Sequence, residues 1–313
     1  SRSMSYHGIT IGALSMSGHP LRRKRFTNLL EDSPLVEAPY CKRCPYGLAP
    51  GSCKLLCATE LDRAIQKLGA ENVAAFIAEP IVGAAGAALI PPAGYYEKIK
   101  EICLKHDVLF IADEVMTGIG RTGEMFGINH WECIPDILVL GKGLAAGYTP
   151  IAVAVASDRV MQPILEGSRL VMSGHTFSAN PLSASVALAV LNYVEKHELV
   201  KNSKIQGEKI ISTIKDWQKE YPFIFDVRGK GLLIGVELNE AHFDSKSLTA
   251  RVIEIAKNNG LLLYPSVSGP YGRLENSFLI SPPLVITDQQ IDEILALLAL
   301  VFKELKQDAK EVV

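Results

Sequence analysis

The sequence predicts an α/β protein with a mostly parallel central sheet and helices on both of its faces. Four apolar runs indicate short buried strands, and they span residues 73–78, 108–112, 136–140 and 151–156. Residues 95–106, between the first two runs, have helical spacing, with Ile99, Ile102 and Cys103 on one face. Near-continuous apolar strands that alternate with helices are typical of parallel sheets buried on both sides.

The last third of the chain has a different pattern, which predicts a small α+β domain. A long helix begins at Asn180, which is a good N-cap, and Pro181 is suited to its first position. A capping box at residues 287–290 begins the final amphipathic helix. We therefore divide the chain into a large domain at 1–199 and a small C-terminal α+β domain at 200–313. The other predicted elements are helices at 201–219 and 248–259, and strands at 224–227, 232–238, 261–264 and 278–280.

Composition excludes several classes of protein. Apolar residues make up 48% of the 313 residues and charged residues 21%, so a sizeable core can form. The net charge is -2, and the short basic patch at 22–25 is more typical of a solvated turn than of a nucleic-acid site. No stretch of about 18 apolar residues predicts a membrane span, and the sequence shows no secretory signal. We expect a cytoplasmic protein with six reduced cysteines that binds neither nucleic acid nor membranes.

Two polar residues follow adjacent predicted strands, where open α/β sheets bind ligands. Asp113 comes directly after the strand at 108–112, and Lys142, flanked by two glycines, follows the next strand. A carboxylate there can hold a proton on a heterocyclic nitrogen, and a partly desolvated lysine is suited to imine formation. These signals are weak by themselves, because a strand-end aspartate is more often a cap and a Gly-Lys-Gly segment is more often a turn.

Longer segments around these residues resemble the class III aminotransferases, which depend on pyridoxal 5′-phosphate (PLP). The matching segments occur in the family's order and spacing, and they extend over nearly the whole chain. The resemblance implies the fold type I of PLP-dependent transferases. The segments are SYHGITIGALSMSG (5–18), AEPIVGAAG (78–86), IADEVMTGIGRTGEMFG (111–127), DILVLGKGLAAGYTPIAVAVAS (136–157), GHTFSANPLSASVALAVL (174–191) and VRGKGLLIGVEL (227–238).

The resemblance implies a cofactor role for four residues and leaves that of a fifth open. Lys142 is the lysine that forms the Schiff base with PLP and then moves a proton between the substrate Cα and the cofactor. Asp113 pairs with the protonated pyridine nitrogen, which makes the ring an electron sink. Tyr6 stacks on one face of the ring and Val115 packs on the other. His7 belongs to the tyrosine segment, where a cofactor contact and a structural role are equally open.

Two further residues imply a partner subunit and a substrate contact. Thr176 matches a hydroxyl that reaches the PLP phosphate of the neighbouring subunit, so the resemblance implies a homodimer with shared active sites. Glu79 matches an active-site carboxylate that pairs, in some relatives, with a substrate-reading arginine. The implied reaction transfers an amino group from an amine or ω-amino acid to a 2-oxo acid such as pyruvate or 2-oxoglutarate.

Three departures from the family pattern bear on function. Met116 stands where many relatives have a glutamine that contacts the cofactor's 3′ oxygen. Leu279 stands where several relatives have an arginine that binds a substrate carboxylate, and the absence of that arginine favours an ω-amino acid or amine donor. Arg273 lies nearby in the sequence and is the alternative for this contact. The family's phosphate-binding loop does not precede Ser1. We therefore expect an N-terminally truncated member that, alone, binds PLP poorly and turns over little.

The segment at 41–57 contains four cysteines in the pattern C-x2-C-x8-C-x3-C. This spacing suits a structural zinc site, although the middle gap is short. The alternative is a reduced loop whose cysteines only pack, and we assign no metal. The four residues are Cys41, Cys44, Cys53 and Cys57.

Other functions stay open beside transamination. A mutase, decarboxylase or racemase of the same fold would not require a 2-oxo acid as second substrate. A catalytically silent fragment would fail to bind PLP. A nicotinamide dehydrogenase is disfavoured, because no G-x-G-x-x-G motif follows a predicted strand.

Overall fold

The computed structural model describes residues 1–49, 51–243, 248–266 and 275–309, and within them the chain forms two four-stranded sheets. In the first sheet the strand order follows the chain, with β1 to β3 parallel and β4 antiparallel to β3. This arrangement confirms the predicted mostly parallel sheet. Its strands are β1 (Ala75–Ala78), β2 (Leu109–Asp113), β3 (Ile137–Leu140) and β4 (Val153–Ala156).

The second sheet is antiparallel and has the order β5-β6-β8-β7. It lies entirely after residue 200, as the predicted small α+β domain requires, whereas the exact boundary at 199/200 stays a prediction. The strand predicted at 261–264 is shorter and later than expected. The strands are β5 (Ile224–Lys230), β6 (Leu233–Leu238), β7 (Tyr264–Pro265) and β8 (Ser277–Ile280).

The helices begin and end close to the residues that the sequence indicated. The Asn180 side chain accepts a hydrogen bond from the Leu182 amide at 3.0 Å, as expected of an N-cap. Thr287 and Gln290 form the predicted capping box. In the described residues the helices are α1 (Ile11–Met16), α2 (Pro20–Arg23), α3 (Leu56–Leu68), α4 (Tyr95–Lys105), α5 (Asp158–Glu166), α6 (Pro181–Lys196), α7 (Leu199–Trp217), α8 (Leu248–Asn258) and α9 (Asp288–Gln307).

Aromatic packing fixes α4 against the first sheet. Phe110 of β2 is fully buried, and its ring stacks on Phe76 of β1 and on Tyr96 of α4, with ring centroids 6.4 and 5.6 Å away. The helical face predicted from Ile99 and Ile102 is buried as well. Because these groups hold β1 and β2 in register, the carboxyl ends of the two strands stay aligned.

The second sheet packs directly on the segment that follows β1. Arg228 of β5 donates from Nε to the Ala87 carbonyl oxygen at 2.9 Å and from Nη2 to the Gly86 carbonyl oxygen at 3.1 Å. On β6, Gly235 lies so close to Ala87 that a Cβ atom would collide with the Ala87 carbonyl. The small domain is therefore in direct contact with the loop that follows β1. None of the helices in the described ranges is long and apolar enough to cross a membrane.

A methyl group added at Gly235 tests this close approach. We expect Gly235→Ala to lower the free energy of unfolding by about 1–3 kcal/mol, because the backbone of Ala87 must shift to make room. Urea unfolding followed by circular dichroism measures the change. Gly12→Ala is the matched control, since Gly12 lies in α1 with open space around it, and it should be neutral or slightly stabilising. Equal stability of Gly235→Ala and the wild type would contradict the proposed contact.

Candidate active site

Three parallel strands bring the predicted polar residues to one edge of the first sheet. Glu79 follows the last residue of β1, Asp113 ends β2, and Lys142 lies two residues after β3. In the strand register, Ala78 pairs with Ala112 and Asp113 pairs with Val139. The three side chains therefore leave the sheet at neighbouring strand ends, where α/β sheets bind ligands.

Asp113 forms a buried ion pair or hydrogen bond with His7. Its Oδ2 atom lies 2.7 Å from Nδ1 of His7, and the two side chains are 6% and 1% exposed. The other oxygen, Oδ1, accepts from the Val115 amide at 3.1 Å. Nε2 of His7 is buried and has no hydrogen-bond partner among the described residues. A buried carboxylate needs such partners to keep its charge, and a charged carboxylate can hold a proton on a heterocyclic nitrogen.

Glu79 anchors the backbone around this pair. Its Oε1 atom accepts from the Tyr6 amide at 3.0 Å, and Oε2 accepts from the Gly83 amide at 2.9 Å. Burial raises the pKa of Glu79, and the neighbouring Asp113 charge raises it further. In the described residues the Glu79 carboxylate meets backbone amides rather than an arginine side chain, so its predicted substrate role stays a prediction.

Two buried residues that the sequence analysis did not single out hold the site together. Arg2 is fully buried and donates to the Glu79 carbonyl and to the Tyr96 hydroxyl. Glu114, next to Asp113, accepts from the amides of Gly127 and Ile128 at 2.8 and 2.7 Å. Burial raises the pKa of Glu114. The signal for Glu114 was its place beside Asp113 within the long matching segment at 111–127.

Lys142 is exposed and begins a short 3₁₀ turn with a positive φ of 39°. Such a backbone conformation is costly for a non-glycine residue and is often found at functional sites. The amine makes no hydrogen bond or ion pair with the described residues. The desolvation expected from the flanking glycines is not observed, because Lys142 is exposed.

The remaining predicted site residues occupy different surroundings. Val115 is half-buried beside Gly141, and its closest methyl lies 3.6 Å from the position of a Cβ on Gly141. Tyr6 is half-buried, with its amide held by Glu79. Thr176 lies in an exposed turn, and no described contact joins it to the Asp113 edge. Its role at a site shared between two subunits stays a prediction.

The departures from the family pattern have structural counterparts. Met116 packs on Gly83, where an added Cβ would approach its sulfur to 2.7 Å. A thioether donates no hydrogen bond, so Met116 cannot replace the glutamine's contact. Leu279 is buried in β8, and Arg273 lies outside the described residues.

These residues fit PLP. The buried Asp113–His7 pair offers a carboxylate oxygen for a pyridine nitrogen, and Tyr6 offers an aromatic ring. Lys142 offers a free amine at the adjacent strand end. When bound, the cofactor would supply an electron-withdrawing ring that stabilises negative charge at the substrate Cα.

The four loop cysteines line one cavity of about 320 Å³. They are free thiols, and burial together with the nearby thiols raises the pKa of Cys57 to about 11. Burial and the neighbouring Cys53 and Cys44 also raise the pKa of Cys41. Across the described part of the chain, no three histidine, cysteine, aspartate or glutamate side chains are arranged to hold a metal.

Comparisons with known proteins identify the family of this chain. The sequence profile described as "Aminotransferase class-III" matches residues 1–302. A Bacillus subtilis (strain 168) protein described as "Uncharacterized aminotransferase YodT" is 46% identical over 98% of this chain and 71% of its own length. The taurine–pyruvate aminotransferase of Bilophila wadsworthia is 34% identical over 94% of this chain and 66% of its own length.

A solved structure confirms the fold type I prediction. An amine transaminase from an uncultivated Pseudomonas species, in its PLP-bound form, has a TM-score of 0.87 and 32% identity over 96% of this chain and 68% of that one. The chain belongs to the class-III aminotransferases. It spans about two thirds of the length of these relatives.

Thiol reactivity tests the environment of the cysteines. Burial raises the pKa of Cys57 to about 11 and that of Cys103 and Cys133 to about 12, so these groups stay protonated at neutral pH and react as thiolates only when the pH approaches those values. We expect iodoacetamide to alkylate the half-buried Cys44 and Cys53 at least about tenfold faster than those three buried cysteines. Peptide mass spectrometry measures the rates.

Unfolding in denaturant is the control, because all six cysteines should then react at similar rates. Equal rates for Cys103 and Cys44 in the folded protein would contradict the burial. Protection of Cys44 and Cys53 that a chelator removes would instead indicate a metal bound to the loop.

Proposed function

We propose that this protein is a PLP-dependent transaminase in which Lys142 binds the cofactor covalently. The observation that carries the proposal is the position of a free lysine amine and a buried Asp113–His7 pair at adjacent strand ends. With PLP bound, Asp113 would hold the proton of the pyridine nitrogen. Once the substrate amine has displaced Lys142 from the cofactor, the free Lys142 amine would take up the proton from the substrate Cα and return it to the cofactor carbon.

The proposed reaction moves an amino group from an amine or ω-amino acid to a 2-oxo acid. Membership of the class-III aminotransferases supports this reaction type. A relative named for taurine and pyruvate supports pyruvate as acceptor and an ω-amino donor. The buried Leu279 agrees with such a donor, since it offers no charge to an α-carboxylate.

A homodimer completes the proposal. The stretch 148–193 exposes an unusual number of large apolar side chains around Thr176, which is typical of a surface covered by another chain. The most exposed are Tyr148, Met172, Phe177, Leu182 and Leu188, at 83%, 85%, 74%, 69% and 60%. A second copy that covers this stretch would bring Thr176 to a cofactor phosphate. The cytoplasmic location stays a prediction.

Borohydride trapping tests the role of Lys142. At saturating PLP, we expect reduction to leave a pyridoxyl group on the Lys142 peptide, because trapping records the covalent bond even where cofactor affinity is low. Lys142→Ala should show no adduct. Its rate of amine-dependent alanine formation from pyruvate should fall at least about a hundredfold. Lys98→Ala is the control, since Lys98 pairs with Glu101 on the surface.

Two outcomes would contradict the proposal. A specific adduct on another lysine would remove Lys142 from the chemistry. Turnover of the amine that needs no 2-oxo acid would exclude transamination and favour a mutase, decarboxylase or racemase of the same fold.

Sedimentation velocity tests the homodimer. We expect the wild type to sediment as a dimer and Phe177→Asp to weaken association at least about tenfold, because a charge is placed in an apolar contact. Ile134→Asp is the matched control, since Ile134 is 82% exposed outside the 148–193 stretch. A monomeric wild type, or equal effects of both substitutions, would contradict the assignment of this surface.

A further inference from the structure

Arg22 places a guanidinium beside the tyrosine of the candidate site. Its central carbon lies 4.1 Å from the centroid of the Tyr6 ring, a cation–π distance. Its Nη2 atom donates to the hydroxyl of Tyr264 at 3.0 Å. Arg22 belongs to α2 and Tyr264 to β7, so this contact joins the N-terminal segment to the edge of the small domain.

Among the residues that the structure describes, no carboxylate lies within ion-pair distance of Arg22, so no described carboxylate neutralises its charge. The neighbouring Arg23 differs, because its Nη1 donates to three backbone carbonyls of the segment at 14–17. A guanidinium has five N–H donors, and the described contacts of Arg22 use one of them.

A second polar group beside Tyr6 is buried without a partner. His19 is 6% exposed and packs edge-on against Tyr6, with ring centroids 6.4 Å apart. Its Nδ1 atom has no hydrogen-bond partner among the described residues. Burial, and then the charge of Arg22, lower the pKa of His19 to about 4, so the ring is neutral at neutral pH. A buried neutral imidazole with an unused nitrogen is costly unless a ligand satisfies it.

On the small domain, Tyr264 lies beside the position at which several relatives bind a substrate carboxylate. Tyr264 pairs across the sheet with Leu279, the position at which several relatives have an arginine. Arg22 therefore contacts Tyr264, the strand neighbour of the uncharged Leu279. A planar guanidinium beside a hydroxyl suits bidentate recognition of a carboxylate.

We propose that Arg22, together with the Tyr264 hydroxyl and the His19 imidazole, binds the carboxylate of the 2-oxo acid substrate. The inference rests on the proposed transaminase function for the identity of that substrate. Tyr6 holds the guanidinium by its ring face, and the Glu79 carboxylate fixes the Tyr6 backbone. Through Tyr6 and Glu79, the Arg22 subsite therefore contacts the edge of the sheet at which Asp113 lies.

Calorimetric titration with propionate tests the subsite without turnover. Propionate has the carboxylate and chain length of pyruvate but no oxo or amino group, and propionamide is its neutral counterpart. We expect wild-type protein, with or without PLP, to bind propionate in preference to propionamide. Arg22→Gln should weaken propionate binding at least about tenfold, and Arg22→Lys should retain part of it because charge remains without the planar fork.

Two more variants separate recognition from folding. Arg25→Gln is the matched control, because Arg25 is an exposed arginine of the same basic patch, and it should bind propionate as the wild type does. Tyr264→Phe should weaken binding by a few fold, since it removes one hydroxyl. In steady-state assays, Arg22→Gln should raise KM for pyruvate and leave kcat nearly unchanged.

The outcomes distinguish this inference from the proposed function. Equal propionate binding by Arg22→Gln and the wild type, or no propionate binding by the wild type, would overturn it even if Lys142 carries the pyridoxyl adduct. Arg22-dependent binding without a Lys142 adduct would support the anion subsite and reject the proposed function.

Discussion

The pairing of Asp113 with His7 is the interaction on which the candidate site depends. A buried carboxylate is unfavourable unless charge and hydrogen bonds compensate for lost water, and removal of one partner from a buried pair costs about 3–5 kcal/mol. The partner comes from the N-terminal segment, 106 residues away along the chain. The position of that segment is therefore as important to the site as the strand that carries Asp113.

Several buried contacts hold the N-terminal segment against the sheet. Glu79 accepts from the Tyr6 amide, and the Ser17 hydroxyl accepts from the His7 amide at 2.8 Å. Arg2 donates to the Glu79 carbonyl, so the residue after β1 is bound from both its backbone and its side chain. Each contact satisfies a buried polar group, and together they fix where the imidazole meets the carboxylate.

The small domain is coupled to the same edge through the loop that follows Asp113. Arg121 donates to the carbonyls of Leu232 and Pro282 at 3.2 and 2.5 Å, and its own carbonyl accepts from the Leu232 amide at 3.0 Å. Burial lowers the pKa of Arg121 to about 10, but the group remains charged at neutral pH. This coupling places β7, and with it Tyr264, close enough to meet Arg22.

The sequence predicted the four strands of the first sheet well because each is a short apolar run bounded by polar or turn residues. The placement of Asp113 and Lys142 followed from the same reasoning, since parallel strands end at a common edge, whereas Glu79 was predicted only from the family resemblance. The His7–Asp113 contact could not be derived, because periodicity carries no information on which distant polar groups meet. The exposure of Lys142 and the Arg22–Tyr264 contact were missed for a similar reason, as both depend on tertiary packing rather than on local pattern.

The protonation of the cofactor nitrogen tests the central claim most directly. PLP labelled with nitrogen-15 at the pyridine position would be bound to the wild type and to Asp113→Asn, and its nitrogen chemical shift recorded by NMR. We expect a protonated pyridine nitrogen in the wild type and an unprotonated one in the variant, because the Asp113 carboxylate holds the proton. The same shift in both proteins would contradict the assignment of Asp113, and with it the proposed site.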